Sequence, residues 1–125
     1  MSPAPTPICI LDDDPSVLRS VQRLLESDGL TAHTFEKAGA FLDHARAHEV
    51  KLAILDLTLG DASGFDVQAA LNEFSPGTQV IIVTGRGDSG LEATARQKGA
   101  HAFLHKPFED DRFLRLVHHA LHPAS

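Results

Sequence analysis

Five side chains suited to phosphate and metal chemistry follow apolar runs in this 125-residue sequence. Asp12 and Asp13 come after Ile8-Cys9-Ile10-Leu11, and Asp56 after Leu52-Ala53-Ile54-Leu55. Thr84 follows the run 80–83, and Lys106 stands just past Ala102-Phe103-Leu104. Runs without polar alternation suit strands covered on both faces. In open α/β sheets ligands gather at the carboxyl ends of such strands, so the five residues are expected along one edge. Three clustered carboxylates repel one another until a cation relieves them, and hard oxygen ligands favour Mg²⁺. A lysine and a hydroxyl beside that ion make a site suited to phosphoryl transfer. Taken alone, Asp56 serves equally well as the cap of a loop or of the next helix; the other four residues tip the balance.

The elements that position them alternate. After the first strand, Asp14-Pro15 carries the chemistry of a helix start, Asp as N-cap and Pro at the first helical position. Val17, Leu18, Val21, Leu24 and Leu25 then share one helical face, and Gly29 ends the helix. Residues 30–35 read as a second strand, and Ala38, Phe41, Leu42 and Ala45 mark a second helix. Ser63 caps a third helix with Val67, Ala70, Leu71 and Phe74 inward, and Pro76-Gly77 is turn chemistry. A weak fourth helix, with only Leu91, Ala93 and Ala95 apolar, spans about 89–98 before Gly99. The last helix starts at Asp110 or Asp111 and turns Phe113, Leu114, Val117, Ala120 and Leu121 inward. Five strand-then-helix units predict an α/β fold: a single doubly wound parallel sheet with helices on both faces and right-handed crossovers.

Composition narrows the class. The length suits one domain, with residues 1–7 a flexible lead-in, 8–122 the folded unit and 123–125 a short tail. No apolar run approaches the ~20 residues that span a bilayer, and the lead-in has no signal-peptide pattern. One cysteine excludes a disulfide framework and favours a reducing compartment. The net charge of −6 argues against this domain gripping a nucleic-acid backbone.

Asp-Asp, Asp, Thr-Gly and Lys-Pro in this order, each after an apolar strand, resemble the receiver domain of two-component response regulators. The resemblance covers residues 8 to about 121 and implies a flavodoxin-like strand order 2-1-3-4-5. It implies that Asp56 is the phosphoacceptor, and that Asp13, Asp56 and the backbone carbonyl of Thr58 bind Mg²⁺, with Asp12 acting through metal-bound water. Thr84 and Lys106 then contact the phosphoryl oxygens, Phe103 is the switch aromatic that turns inward, and Lys106-Pro107 is a cis peptide. The implied partner is a sensor histidine kinase or phosphotransfer protein. The implied setting is cytoplasmic, with no membrane contact, and a homodimer can form through the face of helix four, strand five and helix five. The chain is then a regulatory phosphoacceptor, not a turnover enzyme beyond its own phosphorylation and dephosphorylation. Gly60 departs from the pattern, since receivers commonly carry Pro there. Arg86, two residues after Thr84, is expected to fold over the phosphorylated Asp56 or to pair with Asp61.

Other patterns compete. Gly85-Arg86-Gly87-Asp88-Ser89-Gly90 has dinucleotide-fingerprint spacing, but such a fingerprint belongs to the first turn of its fold. His44 and His48, like His118 and His122, are spaced for one helical face; no third ligand is evident, so both pairs are expected to be solvated. Asp12-x-Asp14 also resembles the first motif of haloacid-dehalogenase-type phosphohydrolases, in which Asp12 is the nucleophile, but that leaves Asp56 without a role. A receiver-like scaffold that is never phosphorylated is the third reading, and the full acid set argues against it.

Overall fold

A computed structural model of the chain describes residues 8–60, 62–85, 87 and 90–122. The lead-in, the tail, Asp61, Arg86, Asp88 and Ser89 lie outside the described residues, and with them the expectation for Arg86 and Asp61. Strands β1 (Ile8–Leu11), β2 (Ala32–Phe35), β3 (Leu52–Asp56), β4 (Gln79–Thr84) and β5 (Ala102–His105) alternate with five helices. These are α1 (Pro15–Ser27), α2 (Ala38–Ala47), α3 (Gly64–Phe74), α4 (Leu91–Gln97) and α5 (Asp110–Leu121). All strand pairs are parallel, in the order β2-β1-β3-β4-β5 that the resemblance implies.

The unbroken apolar runs follow from two cores, one on each face of the sheet. Leu55 and Ile82 pack with Phe41 and Leu71 on the side of α2, α3 and α4. Their chain neighbours Ile54 and Ile81 pack with Leu25 and Phe113 on the side of α1 and α5. Alternate residues of the runs 8–11, 52–55 and 80–83 therefore serve opposite cores, and every position in those runs is apolar. Phe41 and Phe113 are fully buried; truncating either to Ala costs about 3–5 kcal/mol.

Local chemistry sets the boundaries. Asp14 caps α1 by accepting from the Ser16 amide at 2.9 Å, with Pro15 in the first turn. Ser63 caps α3 by accepting from Phe65 N at 3.1 Å. Two expected bounds shift. Gly29 adopts φ +81°, its amide bonds Glu26 O, and Leu30 N bonds Leu25 O at 3.0 Å. This double closure draws Leu30 into the helix terminus, so β2 begins at Ala32 and not at Leu30. The same closure ends α4 at Gln97 and not at Lys98: Gly99 N reaches Arg96 O and Ala100 N reaches Ala95 O.

Two expectations about faces are also corrected. On α3, Phe74 is partly buried and packs against the core as expected, Ala70 is only half-buried, and Gln68 is fully buried. Its Nε2 donates to Lys98 O at 3.2 Å and Ala95 O at 3.4 Å, so a polar side chain fastens α3 to α4. On α2, His44 is half-buried and not solvated. Its ring stacks on His48 with centroids 4.4 Å apart and lies beside Phe35 and His33 of β2. On α5, His118 and His122 are both exposed as expected, and His118 also contacts the Asp28 carboxylate.

Candidate functional site

Sheet register brings the acids together. Leu11 pairs with Leu55, so the next residues, Asp12 and Asp56, emerge side by side at the carboxyl edge. Carboxylate oxygens of Asp12, Asp13 and Asp56 lie within 4.8 Å of one another. Asp12 is 1% exposed and Asp56 5%, whereas Asp13 is exposed. Thr84 pairs with His105, which places Lys106 one step beyond and turns it over the acids. Lys106 Nζ donates to Asp12 Oδ2 at 2.6 Å and lies 3.4 Å from Asp56 Oδ1. Asp12 Oδ1 accepts from the Asp14 amide at 2.9 Å. The sequence expectation placed five residues on one edge; Asp12, Asp13, Asp56 and Lys106 meet there, and Thr84 is buried at the end of the adjacent strand.

The acids are not balanced by Lys106 alone. Burial pushes the Asp56 carboxyl up to about 6, Asp12 and Asp13 add to the shift, and Lys106 opposes it. Burial disfavours the Lys106 ammonium, but its hydrogen bond to Asp12 and the charges of Asp12 and Asp56 outweigh that and hold its pKa above the ordinary value. One ammonium for three carboxylates leaves negative charge, which a small divalent cation neutralises. Among the described residues the candidate ligands are carboxylate oxygens, which fit Mg²⁺ and not a soft metal.

The loop after β3 is closed by Leu57 N to Val83 O at 2.8 Å, Gly64 N to Leu57 O at 2.8 Å, and a bridge between Thr58 and Ser63. Thr58 is exposed beside the acids. At Gly60 the φ angle is not positive, and a Cβ there meets only Asp13 Oδ2 at 3.8 Å. Sequence reasoning missed Gly64. A Cβ on it meets Asp56 O at 2.5 Å and Leu57 Cα at 2.9 Å, so α3 presses directly on the backbone of Asp56. A glycine in the first turn of a helix already capped by serine was the available signal, because propensity gives no reason for it. Phe103 is 4% exposed, within the core under α2, α3 and α4 and edge-on to His105 at 5.2 Å. Its ring is therefore turned inward. The Lys106–Pro107 peptide is cis.

Residues 8–118 match the family model described as the response regulator receiver domain. The response regulator protein TodT of Pseudomonas putida is 35% identical over 121 residues, which cover 97% of this chain and 53% of that protein. The transcriptional regulatory protein FixJ of Azorhizobium caulinodans is 34% identical, covering 95% of this chain and 56% of that one. The chain thus spans about half the length of the curated relatives it matches. Among solved structures, the beryllofluoride-activated NtrC4 receiver domain dimer is 30% identical with a TM-score of 0.90, covering 94% of this chain and 98% of that one.

Proposed function

We propose, on the premise that this chain belongs to the response regulator receiver domain family, that Asp56 is its phosphoacceptor. The domain is a phosphoacceptor signalling switch of a two-component system; the phosphohydrolase reading loses its footing with that membership. The observation that carries the assignment is Asp56 alone at the end of the central strand, 5% exposed, with the Lys106 ammonium 3.4 Å away.

Asp13, Asp56 and the Thr58 carbonyl are the residues that would hold Mg²⁺, with Asp12 in support. Bound there, the ion supplies charge stabilisation for the transferring phosphoryl group. The chain's own residues do the rest. A phosphohistidine on a sensor kinase or phosphotransfer protein presents phosphorus to Asp56. The carboxylate oxygen bonds to phosphorus as the bond to the histidine nitrogen breaks, and an acyl phosphate results. Lys106, held in place by Asp12, balances charge on the equatorial oxygens. Thr84 supplies a hydroxyl to the new oxygens, and Phe103 holds its inward place. A switch of this kind needs two states that differ by only a few kcal/mol, so that the phosphoryl group selects one of them.

An apolar groove beside Lys106, lined by Val17, Val21, Leu24, Pro107 and Phe108, offers the donor a surface next to the acids. No described helix is long and apolar enough to cross a membrane; a cytoplasmic setting follows from the need to meet the kinase's phosphohistidine. The NtrC4 receiver is a dimer, and for this chain the face of α4, β5 and α5 is the corresponding proposal. The test is intact mass after incubation with Mg²⁺ and a small acyl-phosphate donor. One phosphoryl adduct is expected in the wild type and none in Asp56→Asn; an undiminished adduct in that variant overturns the assignment.

A further inference from the structure

The sequence offered His44 and His48 as a pair without a third ligand, and the fold supplies one. His33 pairs with Cys9 in the parallel register, and Cys9 belongs to the core beneath α2. Register therefore turns His33 toward α2, where its ring centre lies 5.5 Å from that of His44. His44 lies in the last turn of α2 and His48 is the extended residue that ends it, with ring centres 4.4 Å apart. We propose that His33, His44 and His48 form a binding site for one divalent transition metal of the zinc class, on the β2–α2 edge and separate from the acid site.

Three observations carry this. First, Nε2 of His44 is buried with no hydrogen-bond partner; a buried polar atom left unpaired costs about 1–3 kcal/mol, and ligation removes that cost. Second, the His33–His44 separation suits an ion once the rings turn; among the described residues only Asp12, Asp13 and Asp56 already bring three ligand atoms within 4.8 Å of one another. Zinc–imidazole bonds of ~2.0–2.1 Å put the centres of two ligating rings about 5 Å apart, close to the His33–His44 separation. The two rings that must turn to converge, His33 and His48, are both exposed, and His48 Nδ1 is engaged only at 3.2 Å from the His44 carbonyl oxygen. Third, the donor chemistry separates the two sites: imidazole suits Zn²⁺, Ni²⁺ and Cu²⁺, whereas the all-oxygen acid site suits Mg²⁺. Water completes the coordination.

The second histidine group differs. His119 Nδ1 lies 2.9 Å from His101 Nε2, which is right for one shared proton. Two nitrogens on one tetrahedral ion need about 3.4 Å, by the same bond lengths. That pair is the internal control.

The experiment titrates Zn²⁺ into the full 125-residue chain by calorimetry, with excess Mg²⁺ occupying the acid site. The wild type should bind one ion. Losing a direct ligand should weaken zinc at least roughly ten-fold, since even outer-sphere partners are worth 10–100-fold. That loss is expected in His33→Gln and in His44→Gln, with His119→Gln unchanged. No zinc binding by the wild type overturns the proposal, as does wild-type affinity in a folded His33→Gln or His44→Gln, or an equal loss in His119→Gln. If His44→Gln fails to fold, His33→Gln decides, because that side chain is exposed.

Discussion

The acid edge and the histidine edge are both clusters of titratable side chains, yet the fold builds them by different rules. The acids stand at the ends of the two central strands, and pairing of Leu11 with Leu55 leaves Asp12 and Asp56 no choice but to meet. The histidines stand on β2, which has a strand neighbour on one side only, and on the helix that leans against it. The acid edge is buried and charged, so it holds electrostatic strain. The histidine edge is half-exposed and holds less, the cost of one buried and unpaired His44 nitrogen. Strain that a ligand can relieve is what makes a cluster responsive, and the comparison is testable on that ground.

The largest expected difference concerns pH. The Asp56 carboxyl rises from 3.8 to about 6 in the folded chain. A group raised on folding contributes stability that is full below its unfolded pKa and is lost as pH climbs through its folded value. Two units at about 1.4 kcal/mol each make about 3 kcal/mol. In metal-free protein, urea midpoints of the wild type relative to Asp56→Asn should therefore fall between about pH 4 and pH 7, and added Mg²⁺ should recover the loss. A parallel pair of curves breaks the claim that the acid edge is strained.

A smaller effect sharpens the geometry of that edge. Gly64→Ala drives a Cβ against Asp56 O and Leu57 Cα, both backbone atoms that cannot swing aside. It should cost about 1–3 kcal/mol of stability and also slow formation of the phosphoryl adduct, because the carboxylate moves with its backbone. Loss of stability with an unchanged phosphorylation rate would show that α3 does not aim Asp56.

The smallest belongs to the histidine edge. Without metal, His33→Gln should shift stability by no more than about 0.5 kcal/mol, as an exposed substitution does, measured by thermal unfolding in chelator. A loss of several kcal/mol would mean that the two edges carry similar energy.

Legibility in the sequence follows the same divide. Asp12, Asp13, Asp56 and Lys106 each follow their own apolar run, so knowing that the strands are parallel is enough to gather them. Thr84 and Phe103 carried no signal alone and were assigned through the resemblance. His33 was invisible, because its meeting with His44 depends on which face of an edge strand turns toward α2, and residues 30–35 alternate too weakly to show it. Leu30 misled for a local reason: an apolar residue after Gly29 looks like the start of a strand, yet it closes the helix terminus instead. Gln68 misled because a polar residue at an inward helical position contradicts the hydrophobic pattern, and only the carbonyls of α4 explain it.

Those carbonyls have a mechanical consequence. Gln68 and Asn72 both grip the far end of α4, Asn72 Nδ2 donating to Lys98 O at 2.8 Å. The near end, at Gly90 with φ +90°, has no side-chain cap. A short rod clamped at one end moves by swinging, not by sliding. Among the described residues the side-chain hydrogen bonds from α3 to α4 all sit toward that far end, at Ala95 and Lys98. If the proposed phosphoryl switch shifts α4, the shift is therefore expected as a change of tilt, largest where the helix begins and smallest where Gln68 holds it.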